Sequence, residues 1–269
     1  MQQSRDNTAI DVHDFGFCIG AAEILRNVSF RVAGGQYVAI VGPNGAGKTT
    51  LLKCIDRIHT GGVGRIEIFG RPVQSYRQRE LARRISYVPQ ADGHVSPFTV
   101  EQFVMMGRYP HLSPFSTIGR EDRRVLRQVL ERTATAEFAD RLLGTLSGGE
   151  RQTVFIAAAL AQGAEVLLLD EPTTFLDYRH QAAIRRLLAE VNRSGMTIVT
   201  VTHDLNHAVL ESDRIVALHQ GSVMFDGPAA ELMKPDVLRR IYDTPFTLVE
   251  HPQSPIPVIV PPAATEDRP

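Results

Sequence analysis

A chain of 269 residues with 29 basic and 30 acidic side chains lacks the strongly basic balance of a dedicated nucleic-acid binder and the acidic excess of a disordered solvator. Its 43% hydrophobic and 22% charged content fits one large or two coupled globular domains with their own core. The two isolated cysteines, Cys18 and Cys54, exclude a disulfide framework and read as reduced thiols packed as small hydrophobes.

The stretch Met1 to Ile10 carries Arg5 and Asp6 and no apolar h-region, so no secretory signal is expected. Ile10 to Phe30 and Gly62 to Ile68 hold alternating or β-branched runs separated by glycines, which predicts an antiparallel β region. Between them, Gln36 to Val41 is an apolar run ending at a glycine-rich turn and reads as the first parallel strand. Strand patterning then disappears from Gln90 to Leu146. Thr99 and Gln102 form a capping-box pair before Phe103–Met106, and Glu121 to Arg132 and Ala136 to Leu143 are amphipathic, so residues 91–146 read as an inserted helical subdomain. Glu165 to Leu169 and Met196 to Val201 are further apolar runs, followed by Asp170–Glu171 and Thr202–His203. Open α/β sheets place ligands just past such strand ends. The most apolar stretch, Phe155 to Leu169, is interrupted by Gln162, Gly163 and Glu165, well short of the roughly 18 apolar residues a membrane helix needs. Beyond Leu248, the prolines Pro252, Pro255, Pro257, Pro261, Pro262 and Pro269 predict an extended, partly disordered tail over 249–269. The expected class is α/β, a mainly parallel sheet with flanking helices plus the antiparallel region and the insertion.

Gly42-Pro43-Asn44-Gly45-Ala46-Gly47-Lys48-Thr49 fits the P-loop pattern, with a strand before it and a helical run from Thr50 after it. Backbone N–H groups freed by the glycines can wrap phosphates at a helix N-terminus. Lys48 would reach the β- and γ-phosphates, and the Thr49 hydroxyl would ligate Mg²⁺. Asp170 suits the Mg²⁺ shell, leaving Glu171 to orient or deprotonate water for attack on the γ-phosphate, or to cap the turn before Pro172. No Asn-Lys-x-Asp base-reading motif of a GTPase is present. Leu146-Ser147-Gly148-Gly149-Glu150 opens a helix with a capping box and is either that cap alone or a second anion site. His207, four residues after His203, mimics a helical metal pair but has no third ligand nearby in sequence.

Together these motifs resemble the ATP-binding subunit of an ABC transporter, over essentially the whole chain from about Ile10 to Pro262, with a single domain at 10–248. The resemblance rests on the P-loop, Gln90 after Tyr87-Val88-Pro89, Leu146–Glu150, Asp170–Glu171, Leu176-Asp177 and His203, in that order. It implies ATP and Mg²⁺ as cofactors and ATP hydrolysis as the reaction, with Glu171 as base. Phe17 stands where the family places an adenine-stacking aromatic, usually tyrosine. Gln90 would touch Mg²⁺ and the attacking water and signal to the membrane subunit. His203 would contact the γ-phosphate, and Asp177 would lie at a dimer seam. Two copies would sandwich two ATPs, with Ser147, Gly148 and Gly149 of one completing the P-loop site of the other.

A bare cassette resembles a bacterial importer subunit, held peripherally at the cytoplasmic face of the inner membrane by permease subunits and served indirectly by a substrate-binding protein. No nucleic-acid partner is expected. Met106-Gly107-Arg108-Tyr109-Pro110-His111, Pro172-Thr173-Thr174-Phe175-Leu176-Asp177 with His180-Gln181, and His203-Asp204-Leu205-Asn206 resemble the iron-siderophore, ferric citrate, haem and cobalamin uptake group. A manganese or zinc importer subunit, a P-loop kinase and a non-transport ABC ATPase are the competing readings. Between Gln90 and Phe115, the side chains of Phe98, Phe103, Met105, Met106 and Tyr109 either form a groove for a permease helix or fill the subdomain's core. The core is the expected place for Phe103 and Met106.

Overall fold

The structure is a computed structural model that describes residues 7–90, 97–113 and 117–261. The chain begins with long antiparallel strands β1 (Thr8–Ile19) and β2 (Ala22–Ala33), then β3 (Tyr37–Val41), the P-loop and helix α1 (Lys48–Ile55). Strands β4 (Val63–Ile68) and β5 (Arg71–Pro72), the short helix α2 (Gln78–Ala82) and β6 (Ile85–Val88) follow. The insertion contributes α3 (Val100–Met106) and α4 (Arg120–Arg132) and leads into α5 (Gly148–Ala161). Next come β7 (Val166–Asp170), α6 (Tyr178–Arg193), β8 (Thr197–Val201), α7 (Leu205–Glu211), β9 (Arg214–His219) and β10 (Ser222–Gly227). Helices α8 (Ala229–Leu232) and α9 (Pro235–Tyr242) and strands β11 (Thr247–Val249) and β12 (Val258–Val260) are the last elements of the described residues.

Two sheets carry the fold. A six-stranded sheet runs β10-β9-β3-β8-β7-β6, parallel throughout except that β10 is antiparallel to β9. A four-stranded antiparallel sheet runs β2-β1-β4-β5. Every residue of β3, β7 and β8 is buried, which is why these strands read as unbroken apolar runs. Alternation splits their side chains between layers. Val166 and Leu168 of β7 join α1 and the antiparallel sheet, while Leu167 and Leu169 pack beneath α3 to α6. Ala39 and Val41 face a third cluster built on α7, α8 and α9.

The insertion departs from the sequence expectation in two places. Ala136 to Leu143 is no amphipathic helix. Only single 3₁₀ turns form, at Ala136–Phe138 and Leu143–Thr145, because Leu142 is extended and bridges Thr99. Thr99 itself caps α3 as predicted, accepting from the Gln102 amide at 3.3 Å while Gln102 Oε1 accepts from the Thr99 amide at 3.0 Å. A buried ion pair knits the subdomain together. Arg108 Nε lies 3.1 Å from Asp122 Oδ1, Arg108 also donates to the Ala161 carbonyl at 2.8 Å, and the other Asp122 oxygen accepts from the Gly119 amide at 3.0 Å. Phe103 packs tilted against Phe155 and belongs to this core, but Met106 is 44% exposed, a correction to the core assignment. Met106 ends α3 on the side away from Val100 and Val104, which fill the buried face. Phe98 and Tyr109 are exposed as well, whereas Phe115 and residues 91–96 of the subdomain lie outside the described residues.

The tail is built into the fold as far as residue 261. β11 and β12 pair antiparallel, with Leu248 opposite Ile259. Leu248, Ile256 and Ile259 pack on the third cluster. Among the described residues no helix is long and apolar enough to cross a membrane.

Candidate nucleotide site

Sheet order sets the site. Neighbouring strands β3, β8, β7 and β6 all end on the same side, so residues far apart in sequence meet there. The P-loop links β3 to α1, and its glycines Gly42, Gly45 and Gly47 all have positive φ. Gly42 has φ +141° and a Cβ there would sit 2.0 Å from the Leu218 carbonyl oxygen; Gly47 caps α1 at φ +94°. The first turn of α1 has no acidic residue, which leaves its N–H groups and positive dipole end open to an anion. Asn44 and Gly45 are exposed at the loop tip, Pro43 and Thr50 are half-buried, and Ala46 is buried. Lys48 is 7% exposed, and its ammonium donates to the Gly42 and Pro43 carbonyls at 2.7 and 2.8 Å. Burial lowers its pKa, and the Glu171 and Asp170 carboxylates oppose that shift.

At the end of β7, Asp170 is 2% exposed. Its Oδ1 accepts from the Thr49 hydroxyl at 2.9 Å and its Oδ2 from the Tyr87 hydroxyl at 3.2 Å. Burial raises its pKa, and these two hydrogen bonds act in the opposite sense. The Thr49 and Asp170 oxygens thus form a hard donor pair of the kind Mg²⁺ prefers.

Glu171 turns the chain. Its φ is +49°, uncommon for a residue with a Cβ, and its amide donates to Val201 of β8 at 2.9 Å. Three groups converge on its Oε2: Thr174 Oγ1 at 2.9 Å, Gln90 Nε2 at 3.3 Å and His203 Nδ1 at 3.3 Å. Turn formation after β7 is carried by the Glu171 main-chain carbonyl, which accepts from the Thr174 amide at 3.3 Å. The carboxylate therefore faces Gln90 and His203 as well as the Thr174 hydroxyl of its own turn.

Ser147 accepts from the Glu150 amide at 3.3 Å and Glu150 accepts from the Ser147 amide at 2.7 Å, a complete capping box. Gly148 is exposed at this helix start. Gly149 lies against His180, where a Cβ would come within 2.3 Å of the ring. Asp177 holds that ring, accepting from the His180 amide and facing its Nδ1, both at 2.9 Å. Among the described residues, Ser147 and Glu150 bond each other and no hydrogen bond joins Ser147 to the P-loop.

Phe17 lies on the inner side of β1. Its ring is 8% exposed, belongs to the core and stacks on His59 at 5.5 Å. Two-residue alternation along β1 puts it on the same inward face as Phe15; the exposed apolar residue near the hairpin tip is Ile19, at 52%. His207 sits 2.6 Å from Asp204 and also contacts Arg185. Sequence reasoning assigned no role to Tyr87 and Thr174, the hydroxyl donors to the two carboxylates, or to His180. In the sequence Tyr87 stands out only by its place three residues before Gln90, one residue from the end of β6.

The ABC transporter family matches residues 25–174. The chain belongs to the ABC transporter family. This ABC ATPase is 39% identical over 251 residues to the iron(3+)-hydroxamate import ATP-binding protein FhuC of Bacillus subtilis, covering 93% of each chain. It is 36% identical over 243 residues to the ferric enterobactin transport ATP-binding protein FepC of Escherichia coli, covering 90% of each. Among solved structures, a dimeric post-hydrolysis state of an ATP-binding cassette bound to ADP and Pi superposes with a TM-score of 0.71 at 28% identity, over 82% of this chain and 98% of that one. The chain is an ATP hydrolase of this family, and its α/β fold is the family's fold.

Proposed function

We propose that this ABC ATPase powers the import of an iron complex, a ferric siderophore or haem, from the cytoplasmic face of the inner membrane through separate permease subunits fed by a substrate-binding protein. The names and near full-length coverage of its relatives support the cargo class. The observation that carries the chemistry is the convergence of Gln90, Thr174 and His203 on one oxygen of Glu171, beside the Thr49–Asp170 pair.

Mg²⁺ fits the Thr49 and Asp170 oxygens, with Gln90 adjacent, and when bound supplies positive charge to the β- and γ-phosphates. The chain's own residues do the rest. The P-loop amides and the Lys48 ammonium bind the phosphates, and Lys48 exchanges its two carbonyl partners for them. Glu171 accepts a proton from the attacking water as the water oxygen bonds to the γ-phosphorus and the bridging oxygen leaves with ADP. His203 and Gln90 hold the Glu171 carboxylate and the water in line. Ser147, Gly148 and Gly149 of a second copy close the site, and ATP bridging two copies supplies the power stroke.

Glu171→Gln tests the base. ATP binding should persist while steady-state hydrolysis falls by about 10²-fold or more. Unchanged turnover would eliminate Glu171 from that role. ATP-dependent uptake of a ferric siderophore by vesicles holding the permease tests the cargo; uptake of manganese or zinc in its place would refute it.

A further inference from the structure

His203 reaches Glu171 from the loop between β8 and α7, so its position depends on how α7 is held. One flank of α7 is fixed by side chains. Asp204 caps the helix, accepting from the His207 amide at 3.0 Å, and Arg185 of α6 pairs with Glu211 at 3.1 Å. The other flank is held by the C-terminal hairpin. The Asn206 side-chain amide donates to the Ile259 carbonyl at 2.9 Å and accepts from the Ile259 amide at 2.7 Å.

This is a strand-like pairing made by a side chain. Along an antiparallel ladder, the N–H and C=O of one residue point to the same side. Both groups of Ile259 point to Asn206, so they point away from β11. Asn206 thus stands in for a third strand at the open edge of β12. The apolar side of the same junction is closed by Leu205, Ala208 and Val209 packing with Leu248, Ile256 and Ile259. Asn206 is three residues after His203, less than one helical turn away.

We propose that Asn206 is a positioning residue for ATP hydrolysis: through its two hydrogen bonds to Ile259, the C-terminal hairpin strap holds α7 in the register that brings His203 to the catalytic carboxylate. The proposal rests on the reading that His203 acts at the γ-phosphate. Among the described residues, the hydrogen bonds and apolar contacts at this junction join the strap to α7 and not to the P-loop, so its loss should act on turnover rather than on ATP affinity.

Asn206→Leu keeps the size of the side chain and removes both hydrogen bonds. Ile259→Pro removes the partner's N–H; because that N–H does not serve the β11–β12 ladder, the hairpin can persist. Each full-length variant should lower kcat about five- to tenfold while KM for ATP stays within about twofold, the size expected when one or two hydrogen bonds bias a two-state element. The double variant should be no slower than either single one. Adding Asn206→Leu to His203→Ala should cost nothing further. Wild-type kcat in Asn206→Leu, or multiplicative losses in the double variant or on the His203→Ala background, would overturn the proposal. Full turnover in His203→Ala alone would instead remove the reading of His203, and the proposal with it. Circular dichroism and thermal melting of each variant separate these results from misfolding.

Discussion

Replacing Asp122 by asparagine leaves the shape of the helical subdomain intact and removes one charge from its centre. The side chains of Arg108 and Asp122 are 9% and 12% exposed, so the Arg108 guanidinium would be left in the interior with one hydrogen bond to the Ala161 carbonyl and no counter-charge. The introduced carboxamide would have a single oxygen for two donors, Arg108 and the Gly119 amide. Breaking a buried pair from one side costs about 3–5 kcal/mol; the oxygen that asparagine keeps offsets part of this, leaving about 2–3 kcal/mol. For a chain of this size that is roughly a 4–12 °C fall in Tm. The dependence on pH provides a second check. The Gly119 amide first, and then Arg108, hold the Asp122 carboxyl below the usual carboxylate range. A carboxylate depressed in the folded state stabilises fully above its unfolded pKa near 3.9 and loses that stabilisation as pH falls through the folded value. The Tm gap between the two proteins should therefore be constant near neutrality and close in strong acid. Thermal unfolding followed by circular dichroism across that range reads both effects. An unchanged Tm at neutral pH, or a gap that widens on acidification, would refute the reasoning.

Gly149→Ala should push α5 off His180, because the new methyl would meet a ring that Asp177 already holds; ATPase activity should fall at least about tenfold with ATP binding retained, measured by turnover and nucleotide titration. Phe175 is 93% exposed beside Asp177, so Phe175→Ala should change folding stability by less than about 0.5 kcal/mol. The same change should weaken ATP-dependent dimer formation by roughly tenfold or more in sedimentation, if the aromatic is an interface anchor. A normal dimer would dismiss that role.

What could be read from the sequence was local. The P-loop, the capping boxes at Thr99 and Ser147, and the buried strands β3, β7 and β8 are each specified by adjacent residues, through glycine dihedrals, cap hydrogen bonds and unbroken apolar runs. What escaped depends on partners distant in the chain. Leu142 leaves the helical pattern because it bridges Thr99, and Met106 is exposed because Val100 and Val104 already fill the inner face of α3. The prolines of the tail pointed to extended backbone, but Val258–Val260 finds both its strand partner and the Asn206 amide only in three dimensions. Strand alternation places Phe17 beside Phe15 on the inner face of β1, a packing that its motif position does not announce.

The order of strands in the main sheet separates what must stay still from what can move. β3, which ends in the P-loop, is clamped between β8 and β9, so the phosphate cradle cannot shift without tearing two ladders. β6 lies at the margin with β7 as its single neighbour, and it ends just before Gln90, where the chain leaves for the helical subdomain. Gln90, which donates to Glu171, is thus carried at the margin of the sheet, while the P-loop is carried at its centre.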